Sequence, residues 1–432
     1  MKRFLGFMLF SITSALHAQV PDSNAILSLE KVWSIVDKDN SQLRLSGLAT
    51  DQSNIDLQLA KDKRIPELTG NANFGRNTTF PLYKEGLFSR PDYVPISRYG
   101  YGFGYSLNVN VFNGGKDKRN IEMKQEEIIR SKNEYTLQQS NVRYAVAVAY
   151  FDLYKFMQFR EFLASEISAE KKQLATIESM HRNGTVLKSD ILRTNVKVSQ
   201  LELSYADVEK KISIAKQRLN IFMGREKDIP VQIAWQEDPG MPAGVVDTAL
   251  EQSPAYRIAL NNVHLSALNI QQAKSDLLPK LSLFSFYDFS YPQIAFYPYS
   301  QDWYGFGKTG VKLSMPIDYL YKSKHSIAKA RNIHEQETVK LNIKKDELSI
   351  DIREAYLQEQ QALEAVQTAQ QNIVQSTESV RVIRSSYMNQ ESLLTDLLDA
   401  ENILLEAKFS LTSAKVNVQL SHIRLLVKTG IL

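Results

Sequence analysis

The residues that could support catalysis are few, and none is arranged as an active site requires. The six histidines are scattered along the chain, and His334-Glu335 lacks the second histidine that a zinc-protease helix needs. Gly100, Gly102 and Gly104 alternate as in a strand and lack the spacing of a phosphate-binding loop. The absence of cysteine excludes thiolate metal sites, disulfides and cysteine catalysis. The sequence therefore predicts no enzyme, no catalytic residue, no metal site and no cofactor.

The charge balance argues against nucleic acid as a partner. The 432 residues carry 52 Lys+Arg against 48 Asp+Glu, a formal charge of +4. A nucleic-acid interface needs a concentrated basic face, and these charges are too evenly spread to provide one. With only 18 Gly and 13 Pro, the chain also does not resemble a disordered or fibrous protein.

The N-terminus predicts export. Lys2 and Arg3 precede an apolar run over residues 4–16, with small residues at Ala15 and Ala18. This is the pattern of a secretory signal peptide, predicted over residues 1–18 with cleavage after Ala18, or alternatively after Ala15. The run is too short to span a bilayer, and no later apolar segment is long enough to do so. A chain without cysteine also has no site for an N-terminal lipid, so we expect no lipid anchor.

The chain contains an internal repeat. The segment 183–192 resembles 389–398, about 200 residues later, and Tyr101-Gly-Phe-Gly recurs as Tyr304-Gly-Phe-Gly. The order of the matching segments is the same in both halves. We therefore predict a signal peptide followed by two repeats, over residues 19–237 and 238–432.

Each repeat contains two predicted strands. Aromatic residues concentrate in 74–112 and 280–321, where apolar and small polar residues alternate with period two. Tyr101, Phe103 and Tyr105, for example, interleave with glycine and serine, which is typical of strands with one apolar face. Four strands are therefore predicted for the whole chain.

The remaining segments predict helices, over 26–62, 116–181, 187–223, 245–277, 320–387 and 391–429. From Ile191 to Phe222, and again from Ile352 to Tyr387, apolar or small residues keep a seven-residue repeat, with Glu359 as the one charged member. Such a repeat predicts left-handed coiled coils. The two longest segments contain neither Pro nor Gly, and each would extend about 100 Å at 1.5 Å per residue.

Four strands with an aromatic face cannot be stable alone in a membrane. Every backbone amide there needs a partner, so a barrel must close, and single-chain barrels have at least about eight strands. Two chains would give an eight-stranded barrel with a filled interior, whereas three would give twelve strands and an open lumen. A soluble β-domain with an aromatic core is the alternative, although aromatic girdles and a signal peptide favour the membrane.

The arrangement resembles that of the TolC-like outer-membrane efflux channels over essentially the whole mature chain. The resemblance rests on the two hairpins, Arg182–Leu192 and Asn389–Ala400, and on Val111–Lys116, which is similar to the family's strand-to-helix turn. It implies a mixed α/β membrane fold, in which each chain adds four strands to a trimeric twelve-stranded β-barrel and continues into a long antiparallel coiled-coil tunnel.

The resemblance also implies a function. We expect a passive trimeric duct in the outer membrane with a long periplasmic portion, serving a tripartite efflux or secretion system. Its partners would be outer-membrane lipid, a periplasmic adaptor protein and, indirectly, an inner-membrane pump. The alternative is a non-transporting trimeric coiled-coil surface or scaffold protein, which would show one uninterrupted heptad run and no duplicated hairpin.

The same resemblance assigns candidate site residues. Asp396 and Asp399 match acidic residues that narrow the periplasmic mouth, and Tyr387 matches an aromatic residue that helps hold the tips closed. The hairpin tips are expected to contact the adaptor through Asn183, Gly184, Thr185, Val186, Leu187, Asp190, Asn389, Gln390, Glu391, Ser392 and Leu393.

Simpler interpretations compete with two of these assignments. Asp396 and Asp190 lie in first helical turns, where an acid favours the helix dipole without any ring of charge. Asn183-Gly184 also suits an ordinary turn, although Val186 and Leu187 are expected to be an exposed apolar pair without a core to fill. Ser392 stands where relatives can carry arginine, so the closed-state polar links are expected to differ.

Overall fold

The computed structural model describes residues 26–235 and 250–432. The predicted signal peptide and the predicted repeat boundary at 237/238 lie outside the described residues. The chain forms two compact units. The first groups the chain up to Asn40 with Arg143–Gly240 and Glu359–Ile423, and the second contains Ser41–Val142, Met241–Gln358 and Arg424–Leu432.

Helices dominate the fold, and their bounds follow the predicted segments closely. They are α1 Leu29–Asp39, α2 Ser41–Asp62, α3 Lys116–Arg182, α4 Lys188–Phe222, α5 Pro254–Ser275, α6 Tyr319–Met388 and α7 Leu394–Thr429. In the described part of the chain, none of them combines the length and the apolar character needed to cross a bilayer.

Two helix predictions need correction. The predicted helix 26–62 is divided at Asn40, because this residue is extended and its side-chain amide donates to Phe222 O at 3.0 Å. It thereby satisfies a carbonyl in the last turn of α4. The predicted start of the helix over 245–277 lies outside the described residues, and from Leu250 the chain forms a short 3-10 turn, Leu250–Gln252, before α5 begins at Pro254. Proline is favoured at the first position of a helix because its missing N–H would be unpaired there in any case.

The predicted helix faces pack as the seven-residue repeats require. In the first unit, Val198, Leu201, Val208, Ile212 and Leu219 of α4 are all buried. On α6, the charged member of the predicted face is also accommodated, because Glu359 Oε1 lies 2.7 Å from His422 Nδ1 on α7.

Both helix pairs reverse through the same local geometry. Thr185 N donates to Met180 O at 3.0 Å and Gly184 N to His181 O at 2.9 Å, which is the Schellman arrangement at the end of α3. At the end of α6, Glu391 N donates to Ser386 O and Gln390 N to Tyr387 O in the same pattern. The left-handed position of this motif holds Gly184 with φ 76° and Gln390 with φ 63°.

The second unit contains the four predicted strands in one antiparallel sheet. The strands are β1 Glu67–Arg76, β4 Tyr99–Asn113, β5 Lys280–Tyr291 and β6 Tyr304–Ser314, in the order β1-β4-β5-β6. A further pair, β2 Phe80–Leu82 and β3 Asp92–Val94, was not predicted. Three-residue strands are too short to show an alternating pattern.

Register divides the residues of the four-stranded sheet between two faces. Phe74 pairs with Tyr101, Phe103 with Phe289 and Leu283 with Val311, so these side chains share one side, which we call the aromatic face. The opposite side is called the polar face. Of the charged residues in these four strands, only Arg76 lies on the aromatic face, and the others lie on the polar face: Glu67, Lys280, Asp288, Lys308 and Lys312.

Candidate functional site: the hairpin tips

The two hairpin tips share a small hydrophobic core in the first unit. Ile177, Tyr387, Leu394 and Leu397 form a buried cluster contributed by α3, α6 and α7. Partly buried side chains from both hairpins pack against it, namely Val186, Ile191, Ile383 and Leu398. Apolar residues at the tips therefore hold the end of one hairpin against the end of the other.

This cluster corrects the expected exposure of the apolar pair at the first tip. Leu187 is 72% exposed, as expected, but Val186 is half-buried against the cluster. The carbonyl of Val186 also lies 2.9 Å from His181 Nδ1, which fixes the chain as it leaves the turn. The sequence pattern could not reveal this core because its other members come from the second hairpin.

Tyr387 belongs to the core of the tips. Its side chain is 5% exposed and its hydroxyl has no hydrogen-bond partner in the described part of the chain. Burial raises the pKa of this hydroxyl, and the nearby negative charge of Asp190 raises it further. A buried ring at this point helps hold the two tips together, and its part in a constriction stays a prediction.

A cavity of about 270 Å³ lies between the tips. It brings together many of the residues predicted for adaptor contact: Thr185, Val186, Leu187 and Asp190 from the first tip, and Gln390, Ser392 and Leu393 from the second. Asn183, Gly184, Asn389 and Glu391 are exposed at the turns themselves and do not line this cavity. The cavity is partly apolar, and hydroxyl and carboxylate groups also line it.

The two predicted constriction acids have different surroundings. Asp396 is exposed and its Oδ2 accepts a 3.2 Å hydrogen bond from Leu393 N, so this side chain caps the start of α7. Asp399 is exposed one turn later and lines a groove with Arg193 and Lys197. Among the described residues, no hydrogen bond or ion pair occupies its carboxylate. Both acids therefore remain accessible, but only Asp396 has a local structural task.

The sequence analysis missed a buried charge cluster near the tips. Glu166 and Glu170 of α3 and Glu401 of α7 each place a carboxylate oxygen within 4.8 Å of the others. Glu170 and Glu401 are both buried, and one oxygen of each has no hydrogen-bond partner in the described part of the chain. A detectable signal existed, since α7 places Glu401 in step with the apolar positions Leu394 and Leu397.

Burial dominates the electrostatics of this cluster. The pKa of Glu170 is raised to about 8, first by burial and then by a hydrogen bond and charge repulsion from Glu401. The pKa of Glu166 is also raised, first by burial. Arg384 Nη2 bonds Glu401 at 2.7 Å, and Lys197, which contacts Asn402, acts on both Glu166 and Glu170. Because these cations offset the acids, we interpret the cluster as an ion network and not as a metal site.

The family model for outer membrane efflux proteins matches residues 35–225 and 245–430, which is most of the chain and includes both hairpins. The chain belongs to the outer membrane efflux protein family. Membership assigns it to efflux at the outer membrane, as the resemblance predicted. The family is one of efflux proteins and not a family of enzymes.

Individual relatives and solved structures agree with this membership. The chain is 21% identical to the outer membrane efflux protein BepC of Brucella suis, over 91% of this chain and 83% of that protein. It is 23% identical to the alkaline protease secretion protein AprF of Pseudomonas aeruginosa, over 85% and 74% of the two chains.

The fold is that of solved outer-membrane channels. A crystal structure of CusC superposes with a TM-score of 0.80 at 16% identity, covering 93% of this chain and 92% of that one. The Campylobacter jejuni outer membrane channel CmeC gives 0.79 at 17% identity, covering 93% and 85%. At these identities the likeness is one of fold.

Proposed function

We propose that three copies of this chain form a continuous passive duct in the outer membrane and periplasm, with no lipid anchor. Each copy would supply four strands to a twelve-stranded barrel and two helical hairpins to a periplasmic tunnel. A periplasmic adaptor would bind the hairpin tips and connect the duct to an inner-membrane pump. The chain itself would catalyse no reaction and bind no nucleic acid.

The open four-stranded sheet is the observation that carries this proposal. Strands β1 and β6 are the two edges, and each has one side without a strand partner in the described sheet. The aromatic face is exposed, with Phe74, Phe103 and Leu313 among its members. An apolar exposed face with two open edges suits lipid only if neighbouring copies pair with those edges.

Helix α4 provides independent support for assembly. Its buried side chains occupy one face, and a second apolar stripe lies about 180° around the helix at 100° per residue. The stripe consists of residues that are 56–73% exposed: Leu192, Val196, Leu203, Ile214 and Ile221. A helix that is apolar on two opposite faces is expected to be covered on both of them.

Helix α6 has a comparable stripe within the second unit. Ile343, Ile350 and Leu357 follow one another at seven-residue spacing and are 51–67% exposed. Exposed apolar residues at this spacing are typical of a coiled-coil seam that lacks its partner helix. Neighbouring copies of the same chain would cover both stripes in a closed ring.

The repeats at 19–237 and 238–432 suit the same architecture. Each would contribute two strands and one long hairpin, so a trimer would have six quasi-equivalent hairpins around its axis. The shared Schellman geometry of the two tips supports their descent from one duplicated unit. Gln390 in place of glycine makes the tips chemically different, so the adaptor would contact two kinds of tip.

We further propose that Asp396 and Asp399 from three chains form the acidic periplasmic mouth. Up to six carboxylates around the axis would attract cations, and repulsion between like charges would oppose tight closure. The accessibility of both acids at the start of α7 supports this assignment. Tyr387 would contribute by fixing the distance between the tips of its own chain.

Conductance in planar bilayers tests the proposal. Wild-type protein extracted from outer membranes should give discrete, cation-selective steps, and the Asp396→Ala/Asp399→Ala variant should give larger or less selective ones. Channels unaffected by these substitutions would retain the duct but overturn the mouth assignment. Folded trimers that form no channels would instead favour a non-transporting coiled-coil scaffold.

A further inference from the structure

The polar face of the sheet carries an excess of basic groups on strand β6. Lys308 and Lys312 are both exposed and lie on the same face, four residues apart. At about 3.3 Å per residue, their Cα atoms are separated by roughly 13 Å along the strand. In the described part of the chain neither ammonium group takes part in an ion pair.

The acid in the sheet that could neutralise Lys308 is directed away from it. Asp288 lies on β5, whose neighbours are β4 on one side and β6 on the other. A Cβ added at Gly104 of β4 would collide with Asp288 Oδ1, so the carboxylate leans over β4. The two lysines therefore face solvent with their charges uncompensated by this acid.

Aromatic rings lie beside these lysines on the same face. Phe286 is the direct cross-strand partner of Lys308, and Phe284 is the partner of Gly310, which lies between the two lysines. A Cβ at Gly310 would lie only 3.1 Å from Phe284 Cζ, so the ring covers the glycine. Phe306 extends the surface, with its ring centroid 6.1 Å from that of Phe286.

We propose that Lys308, Lys312, Phe284 and Phe286 form a binding site for amphiphilic organic anions on the wall of the duct. This inference rests on the proposed function, because the polar face lines a lumen only if the barrel closes. A cationic group on either side of an aromatic ring matches a ligand that has a flat apolar body and an acidic group. The ring contacts the apolar body, and the ammonium groups attract the carboxylate or sulfonate.

The site gives the duct two regions of opposite charge. The periplasmic mouth is acidic, whereas the β6 wall is basic. An organic anion that has passed the mouth would meet Lys308 and Lys312 in the barrel. The site would therefore favour anionic cargo at the last stage of export, where simple salt ions would be affected less because they lack an apolar body.

Block of single channels by an aromatic sulfonate tests the site. Naphthalene-2-sulfonate is added to either side of a planar bilayer containing wild-type protein, and the concentration for half-maximal block is measured. In the Lys308→Gln/Lys312→Gln variant we expect this concentration to rise about tenfold, since two charge contacts are lost.

Arg76→Gln is the matched control, because it removes a positive charge from the aromatic face of the same sheet and should leave the block unchanged. The neutral compound 2-naphthalenemethanol should block wild type and variant equally.

The outcomes separate this inference from the function on which it rests. If naphthalene-2-sulfonate blocks wild-type channels and channels of the double lysine variant at the same concentration, the site is overturned but the duct remains. An absence of channels in wild-type protein would instead overturn the proposed function. If the double variant forms no channels, Lys308→Gln and Lys312→Gln are tested singly, with block expected to weaken about threefold in each. Unchanged block in both single variants would overturn the site.

Discussion

Arg384 Nη2 donates a 2.7 Å hydrogen bond to Glu401 Oε1, and the two side chains differ greatly in exposure, at 51% for Arg384 and 2% for Glu401. The bond joins α6 to α7 within the second hairpin. Glu401 also lies beside Glu170 of the first hairpin, so one solvent-accessible cation stabilises a carboxylate that is shared by both hairpins.

Removing that cation should destabilise the tips. In Arg384→Gln the buried carboxylate of Glu401 loses its charged partner, and we expect a loss of about 2 kcal/mol in the free energy of unfolding. The estimate is below that for a fully buried pair because half of Arg384 is exposed and its charge is partly screened. Chemical denaturation of the detergent-solubilised protein, followed by circular dichroism, measures the loss.

The same helix offers a matched control. Arg381 bonds Glu378 at 2.6 Å, but both side chains are more than half exposed. Arg381→Gln should therefore leave the stability almost unchanged, because solvent screens an exposed ion pair. Equal losses in the two variants would show that burial of Glu401 does not determine the strength of its pair.

The raised pKa of Glu170 predicts a pH-dependent stability. Its folded value is about 8, against an ordinary value near 4.5, so the folded protein retains a proton that the unfolded chain releases between these limits. The stabilisation from this group is complete below about pH 4.5 and is lost as the pH rises through about 8. Glu166 and Glu401 oppose ionisation of Glu170, whereas Lys197 favours it.

Glu170→Gln should remove this dependence, because the amide is neutral at every pH. Thermal melts between pH 5 and 9 should show the variant gaining stability relative to wild type as the pH rises. Glu161→Gln, which changes an exposed carboxylate on the same helix, should follow the wild-type curve. Parallel curves for Glu170→Gln and wild type would contradict the assignment of a buried proton to this carboxyl group.

The long helices and their buried faces could be predicted from sequence because they follow a repeating pattern. The buried face of α4 follows the seven-residue repeat from Thr194 to Leu219, and the long helix predicted over 116–181 differs from Lys116–Arg182 by one residue. Repeats of this kind sum many weak preferences over several turns, so single exceptions do not hide them.

The features that could not be predicted depend on single contacts between distant segments. The break at Asn40 requires Phe222 O, 182 residues away, and the half-buried state of Val186 requires the second hairpin. The sequence marks Glu401 as a charged exception on an apolar helix face, but it does not show that Glu170 of the other hairpin lies beside it. One sequence without its contacts shows such residues only as polar or apolar exceptions to a helix pattern.

The two tips predict opposite effects of exchanging glycine and glutamine. Gln390 holds the left-handed position that Gly184 holds at the first tip, and a side chain with φ 63° is strained there. Gln390→Gly should therefore stabilise the protein by about 0.5–1 kcal/mol, after allowance for the greater freedom of glycine in the unfolded chain. Gly184→Gln should cost about 1 kcal/mol through backbone strain alone, because a Cβ there would meet no atom within 4 Å. Denaturation midpoints of both variants measure these effects, and stabilisation by Gly184→Gln would contradict the shared geometry.

The two predicted constriction acids, Asp396 and Asp399, can be distinguished by their different local contacts. Asp396→Ala removes the acceptor for Leu393 N and should cost about 1 kcal/mol of stability, whereas Asp396→Asn keeps an oxygen at that point and should cost less.

Asp399 has no such contact, so Asp399→Asn should leave the melting temperature unchanged. If the acidic mouth exists, Asp399→Asn should nevertheless reduce cation selectivity, because it removes three charges from the trimer. Reversal potentials in a KCl gradient, measured beside thermal melts, test both statements. A selectivity change confined to Asp396 variants that also lose stability would indicate a helix cap and argue against a ring of charge.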